Sequence, residues 1–205
     1  MPSSADGARA WVALAAALAL AAVVASVVAP DALEWQPARA WSEPWRAWTA
    51  AVVHYSAFHL IVNLVGVALV AALGWFARVP LSTTIAWLVA WPLTQFGLLV
   101  RPDLLHYAGL SGVLHAGTAC VGWQLAAHGR GQRRAIGVLV LAGLAVKVAS
   151  ESPWGAAVRT PAGWDIATAP FAHASGLVAG LAAAIVGDAI ARARGRSAKS
   201  TVDTV

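Results

Sequence analysis

Gly109-Leu110-Ser111-Gly112-Val113-Leu114-His115 sets a serine near the head of an apolar segment running from about 108 to 127. That is close to the roughly 20 residues a helix needs to cross a bilayer core. Most hydroxyls in such helices bond to their own backbone or join two helices. This one has glycines two residues before it and one after, and histidines recur elsewhere in the chain at what six crossings would make the same depth. These residues are read as a nucleophile, Ser111, inside the membrane.

The surrounding composition fits a membrane protein. The 205 residues are 60% hydrophobic and 11% charged, against about 25% charged in soluble domains. No hydrophilic stretch is long enough for a second domain, so residues 1–205 are read as one membrane unit. The net charge of +5 gathers at segment ends, which fits orientation in a membrane and gives no reason to expect nucleic-acid binding. Cys120, the single cysteine, permits no internal disulfide. Several of the eleven tryptophans cluster at segment ends, where amphipathic rings favour the membrane interface.

Six helical spans are expected at about 10–29, 48–73, 81–100, 108–127, 135–149 and 169–191. The first ends at Pro30 and is longer than the apolar core of a signal peptide, so it is read as a retained anchor. Residues 31–48 alternate Trp35, Trp41, Trp45 and Trp48 with Glu34, Arg39, Glu43 and Arg46. They are too polar to span and read as a structured loop in the interface. Pro92 should kink the third span. Residues 192–205 read as a basic tail with a disordered end. If both termini are cytoplasmic, nine Lys/Arg lie in inner segments and four in outer loops, with Lys147 inside its helix. The positive-inside rule therefore favours N-in, C-in.

That topology sends spans 2, 4 and 6 inward from the outer face. Their first turns carry His54, His59 and Asn63, then Ser111 and His115, then His173. At about 1.5 Å per residue these lie roughly 5–20 Å below the outer surface, and polar groups at such depth are functional-site hypotheses by default. His59 and Asn63 share a helix face, whereas His54 stands about 140° away if helical. Gly176 and Gly180 follow His173 with the spacing that lets helices approach closely, and Gly109 and Gly112 thin span 4 in the same way.

Serine needs a base to attack an amide, and neutral imidazole is the usual one; the oxyanion needs donors. Ser111 as nucleophile, His173 as base, and Asn63 with His59 as donors fill these roles. Asp103 and Asp165 lie in outer loops and read as solvated charges, so a Ser–His dyad without a carboxylate is expected. His115 is a rival base, but its i,i+4 position leaves no room for substrate between it and Ser111. A different class of function remains open: His59, His115 and His173 could ligate haem or a metal. No inverted repeat points to a transporter.

Taken in order, Trp45-Arg46, then His54-x4-His59-x3-Asn63, then Gly109-Leu110-Ser111-Gly112, then Ala172-His173-Ala174-Ser175-Gly176-x3-Gly180 resemble the rhomboid family of intramembrane serine proteases. The resemblance spans all six segments. It implies a six-helix rhomboid-like bundle and a Ser111–His173 dyad without a cofactor. It also implies an oxyanion site from Asn63, His59 and the backbone amides at Ser111 and Gly112, and a lipid-embedded loop around Trp45-Arg46. In the family, water reaches the dyad from outside, the fifth span and its loop gate entry, and the residue at the His54 position is structural. The expected partners are the lipid bilayer and single-pass membrane-protein substrates. The Ala- and Arg-rich, Lys-poor usage suggests a high-GC bacterium, hence its inner membrane.

Many bacterial rhomboids have tyrosine where this chain has His115. That departure, with Gly-Leu-Ser-Gly-Val-Leu-His and the bare six-span form, is similar to the rhombosortase subgroup, which the resemblance links to C-terminal Gly-Gly-type anchors. His115 is then placed to stack on His173 or tune its proton affinity.

Overall fold

The apolar runs fold as helices, and in the computed structural model, which describes residues 4–163 and 165–202, every regular element is helical. The helices are α1 (Ser4–Ala25), α2 (Arg46–Thr49), α3 (Ala57–Ala77), α4 (Leu81–Phe96), α5 (Ser111–His128), α6 (Gln132–Ser150) and α7 (Pro170–Val202). Two isolated bridges, Trp35 with Tyr107 and Arg159 with Thr168, are the extended pairings among the described residues. Four segments are long and apolar enough to cross a membrane: Asp6–Ala25, Ala57–Ala77, Leu81–Val100 and Pro170–Ala193.

Neither α5 nor α6 is among those four. The sequence of α5 explains this. It is rich in glycine and alanine, and most of its residues are buried against neighbouring helices. A helix enclosed by protein does not need the large apolar side chains that face lipid. α6 is the opposite case: it buries little and turns Ile136, Val138, Leu139 and Val146 outward.

Three boundaries differ from those expected. The second span is broken: α2 ends at Thr49 and α3 starts at Ala57, capped by Ser56 Oγ, which accepts from the His59 N–H at 3.1 Å. His54 therefore precedes the helix, and the helical-angle estimate for it loses its premise. α7 continues to Val202, so residues 192–202 are helix where a tail was expected. The expected disordered end falls on residues 203–205, outside the described residues. Pro92 lies inside α4, which continues as a tighter turn over Gly97–Val100.

The bundle is tied at its centre by tryptophans. Trp11 of α1 is fully buried, donates to Val70 O at 2.9 Å and packs on Trp87 with ring centroids 4.3 Å apart. Trp87 donates to Val113 O at 2.8 Å, linking α4 to α5. The stretch between α1 and α3 is structured. Arg46 is buried and donates through Nη1 to Asp31 O (3.1 Å) and Glu34 O (3.0 Å), and through Nε to Glu43. Trp41, Trp45 and Trp48 remain exposed around it.

Candidate active site

Ser111 sits at a helix start prepared by the chain before it. Trp35 and Tyr107 exchange backbone hydrogen bonds of 2.8 and 2.9 Å, which fixes the approach. Gly109 then adopts φ +121°, open to glycine and rarely to other residues. A Cβ there would also lie 2.6 Å from His59 Cε1. The bare backbone thus lets the His59 ring lie against the segment just before the serine. α5 begins at Ser111 itself, so the serine stands at the end where N–H groups lack intrahelical partners and the helix dipole is positive. Tyr107 completes the setting. Its hydroxyl donates to Gly109 O at 3.2 Å and accepts from the Gly112 N–H at 3.3 Å. It also lies 3.2 Å from Ser111 Oγ, a hydrogen bond in which either hydroxyl can donate.

α7 brings His173 to the same place through a seam of small residues. Gly176 lies on the backbone carbonyl of Gly112, and Gly180 on that of Ala116. Cys120 Sγ donates to Gly180 O at 3.3 Å. On α7's other side, Ser175 Oγ donates to Thr94 O at 2.7 Å, fastening the helix to α4. His173 then stacks on His115, with centroids 4.2 Å apart and planes within 10°. No hydrogen bond joins Ser111 Oγ to His173 among the described residues. Catalytic hydrogen bonds often tighten only when substrate is bound.

A carboxylate that the sequence reading did not assign lies against His173. Glu151 Oε2 is 2.6 Å from His173 Nδ1, and Glu151 Oε1 is 3.0 Å from Lys147 Nζ. Lys147 Nζ also approaches His115 Nε2 at 2.6 Å and His173 Nδ1 at 3.2 Å. Partial burial opposes the charge on Glu151. The hydrogen bond and charge of His173, and those of Lys147, outweigh it and hold this carboxyl well below the usual carboxylate range. Lys147 and Glu151 are four residues apart at the end of α6, a spacing visible in the sequence. Tyr107 is also four residues from Ser111 but lies before α5, so helical spacing does not apply to it; its backbone is held by the long-range pairing with Trp35.

The expected oxyanion donors come from α3. Asn63 and His59 are both buried, and Asn63 Nδ2 donates to His59 O at 3.0 Å. An amide has two N–H bonds, so this contact leaves one to point elsewhere. His54 meets His59 edge-on, with ring centroids 4.8 Å apart. It supports the His59 ring and does not reach Ser111 by a hydrogen bond. Asp103 and Asp165 are exposed: Asp103 pairs with Arg101 at 2.7 Å, and Asp165 accepts from Ser56 Oγ at 3.0 Å.

Ser111, His173, His115, His59, Asn63, Tyr107, Lys147 and Glu151 all line one cavity of about 1070 Å³. Its walls are α3, α5, α6 and the start of α7, and exposed Leu105, Arg159 and Pro161 stand at its edge. A hydroxyl at a helix start, an imidazole and an amide around one space can support acyl transfer. A metal centre fits less well. Among the described residues, no three His, Cys, Asp or Glu side chains are grouped to hold a metal ion, and both nitrogens of His115 are engaged. No protein-family model matches the sequence, and none of the curated proteins compared with it matches.

Proposed function

We propose that the chain is an intramembrane serine endopeptidase of rhomboid type, with Ser111 as nucleophile and His173 as general base. The observation that carries this reading is the convergence of Ser111 and His173 on one cavity that Asn63 and His59 also line. His115 is the weaker base because both its ring nitrogens have partners.

In this reading, six helices cross a bacterial inner membrane with both termini in the cytoplasm, and the Trp-rich loop lies in the outer interface. A single-pass substrate unwinds at small residues, and its scissile carbonyl enters the cavity. Ser111 Oγ bonds to the carbonyl carbon while its proton moves to His173 Nε2. Asn63, His59 and the amides at Ser111 and Gly112 donate to the oxyanion. The C–N bond then breaks, and the proton on Nε2 goes to the leaving amine. Water attacks the acyl-enzyme, giving its proton to Nε2 and releasing the acid, and Ser111 regains its hydrogen. His115 in place of the tyrosine common in the family supports the finer assignment to the rhombosortase-like subgroup, with substrates anchored by a C-terminal Gly-Gly-type segment.

The test is terminal-peptide proteomics on membranes carrying wild type or Ser111→Ala at equal abundance. The reading predicts new N-termini inside or beside transmembrane segments that depend on Ser111. Identical N-termini in both membranes would overturn it.

A further inference from the structure

We propose that Glu151, pinned by Lys147, is a positioning residue that orients His173, so that the site is a Ser–His–Glu arrangement whose third member comes from the residue that follows α6. This rests on the peptidase reading of the same cavity and changes its chemistry from a dyad to a triad.

The assignment follows from counting protons. The Ser111 carbonyl can only accept, so at 2.6 Å the partner nitrogen, His115 Nδ1, must carry hydrogen. A neutral His115 then has a bare Nε2, which accepts from Lys147 Nζ at 2.6 Å. A second Lys147 proton goes to Glu151 Oε1 at 3.0 Å. Glu151 Oε2 is thereby turned to His173, and an ionised carboxylate only accepts, so His173 Nδ1 carries hydrogen and donates at 2.6 Å. Lys147 Nζ, 3.2 Å from that nitrogen, is then a neighbour on the same carboxylate rather than a donor to it. Each of these hydrogen bonds thus has one donor and one acceptor, with the third Lys147 proton not used.

The outcome is a defined tautomer. With Nδ1 protonated, neutral His173 presents Nε2 as the basic nitrogen, and Nε2 has no hydrogen bond among the described residues. The partner on one ring nitrogen sets the role of the other. When Nε2 takes the serine proton, the imidazolium formed faces an anion across a short hydrogen bond, a charge-assisted contact that strengthens as charge develops. The His115 ring, stacked at 4.2 Å, prevents His173 from tilting away.

The experiment is labelling of the detergent-purified full chain with a fluorophosphonate probe, resolved into kinact and KI, for wild type, Glu151→Gln and Glu151→Asp. Melting temperature is measured alongside. Glu151→Gln keeps the shape and removes the charge. It should lower kinact by about 10²- to 10⁴-fold, the scale of removing an orienting carboxylate, with KI and melting temperature retained. Glu151→Asp restores a carboxylate and should label faster than Glu151→Gln. Wild-type kinact in Glu151→Gln overturns the inference and leaves the peptidase reading standing. A loss that tracks melting temperature, or equal rates in the two variants, also overturns it. Folded wild type that never labels overturns both.

Discussion

Gly176→Ala tests whether the α5–α7 seam sets the distance between Ser111 and His173. The added Cβ would lie 2.8 Å from Gly112 C and 3.2 Å from Gly112 Cα, with Gly112 O nearer still, where ordinary contacts are 3.4–4 Å. These are backbone atoms, so no rotamer change can relieve them. The helices must part by about 1 Å, a displacement on the scale that costs roughly 10²-fold in rate, or about 2.7 kcal/mol of transition-state stabilisation. Overpacking also costs about 1–3 kcal/mol of stability. Gly143→Ala on α6 is the control. Its Cβ meets nothing within 4 Å, and loss of a helix-interior glycine gains about 0.5–1 kcal/mol. The assay is fluorophosphonate labelling rate with thermal unfolding in detergent. Gly176→Ala should lose on both counts while Gly143→Ala keeps its rate and melts no lower. A Gly176→Ala protein with wild-type rate and melting temperature would refute the reasoning.

Two further outcomes are expected. Asn63→Ala should lower kcat/KM by about 10- to 1000-fold, the scale of one oxyanion donor; an unchanged value in a peptide-cleavage assay would remove Asn63 from that role. Arg101 holds residues 153–155 by donating to Pro153 O and Gly155 O at 2.7 and 2.8 Å, and Asp103 steadies it. The hydrogen bond from Arg101 chiefly holds the Asp103 carboxyl below its ordinary value of 3.8. A depressed acid stabilises the fold fully above its unfolded pKa and stops doing so as pH falls through the folded one. Amide protection factors, exchange rates corrected for the intrinsic rate at each pH, at residues 151, 152, 154 and 155 should therefore be insensitive to this pair from pH 8 to 5 and fall only below about pH 4. In Asp103→Asn they should be low throughout, and wild-type protection that falls between pH 7 and 6 would point to another group.

Much of the architecture can be read from local patterns. Each apolar run expected to span contains a long helix, because a continuous apolar stretch leaves the backbone little choice but to bond internally. The Gly176-x3-Gly180 spacing bears directly on packing, because only a missing Cβ allows backbone contact. The misses come from interactions distant in sequence or from polarity taken as disorder. Ala50–Val53 is as apolar as its surroundings, so the run itself does not mark the break before α3; the local signal is Ser56, whose hydroxyl caps the helix by accepting from the His59 N–H and donates to Asp165, over a hundred residues away. Residues 192–202 are polar yet rich in alanine and arginine, both good helix formers. Glu151 lies just past an apolar run, in a polar stretch that reads as a loop. The i,i+4 pair with Lys147 was the available signal, since a lysine inside an apolar helix needs an anion.

The most direct test of the central claim is covalent labelling of the purified protein by a fluorophosphonate, with the modified residue mapped by mass spectrometry. The account predicts modification at Ser111, lost in Ser111→Ala and His173→Ala and retained in His115→Ala. Labelling lost in His115→Ala but kept in His173→Ala would assign the base to the wrong helix. Absence of labelling in folded wild type would contradict the claim that Ser111 is an activated nucleophile.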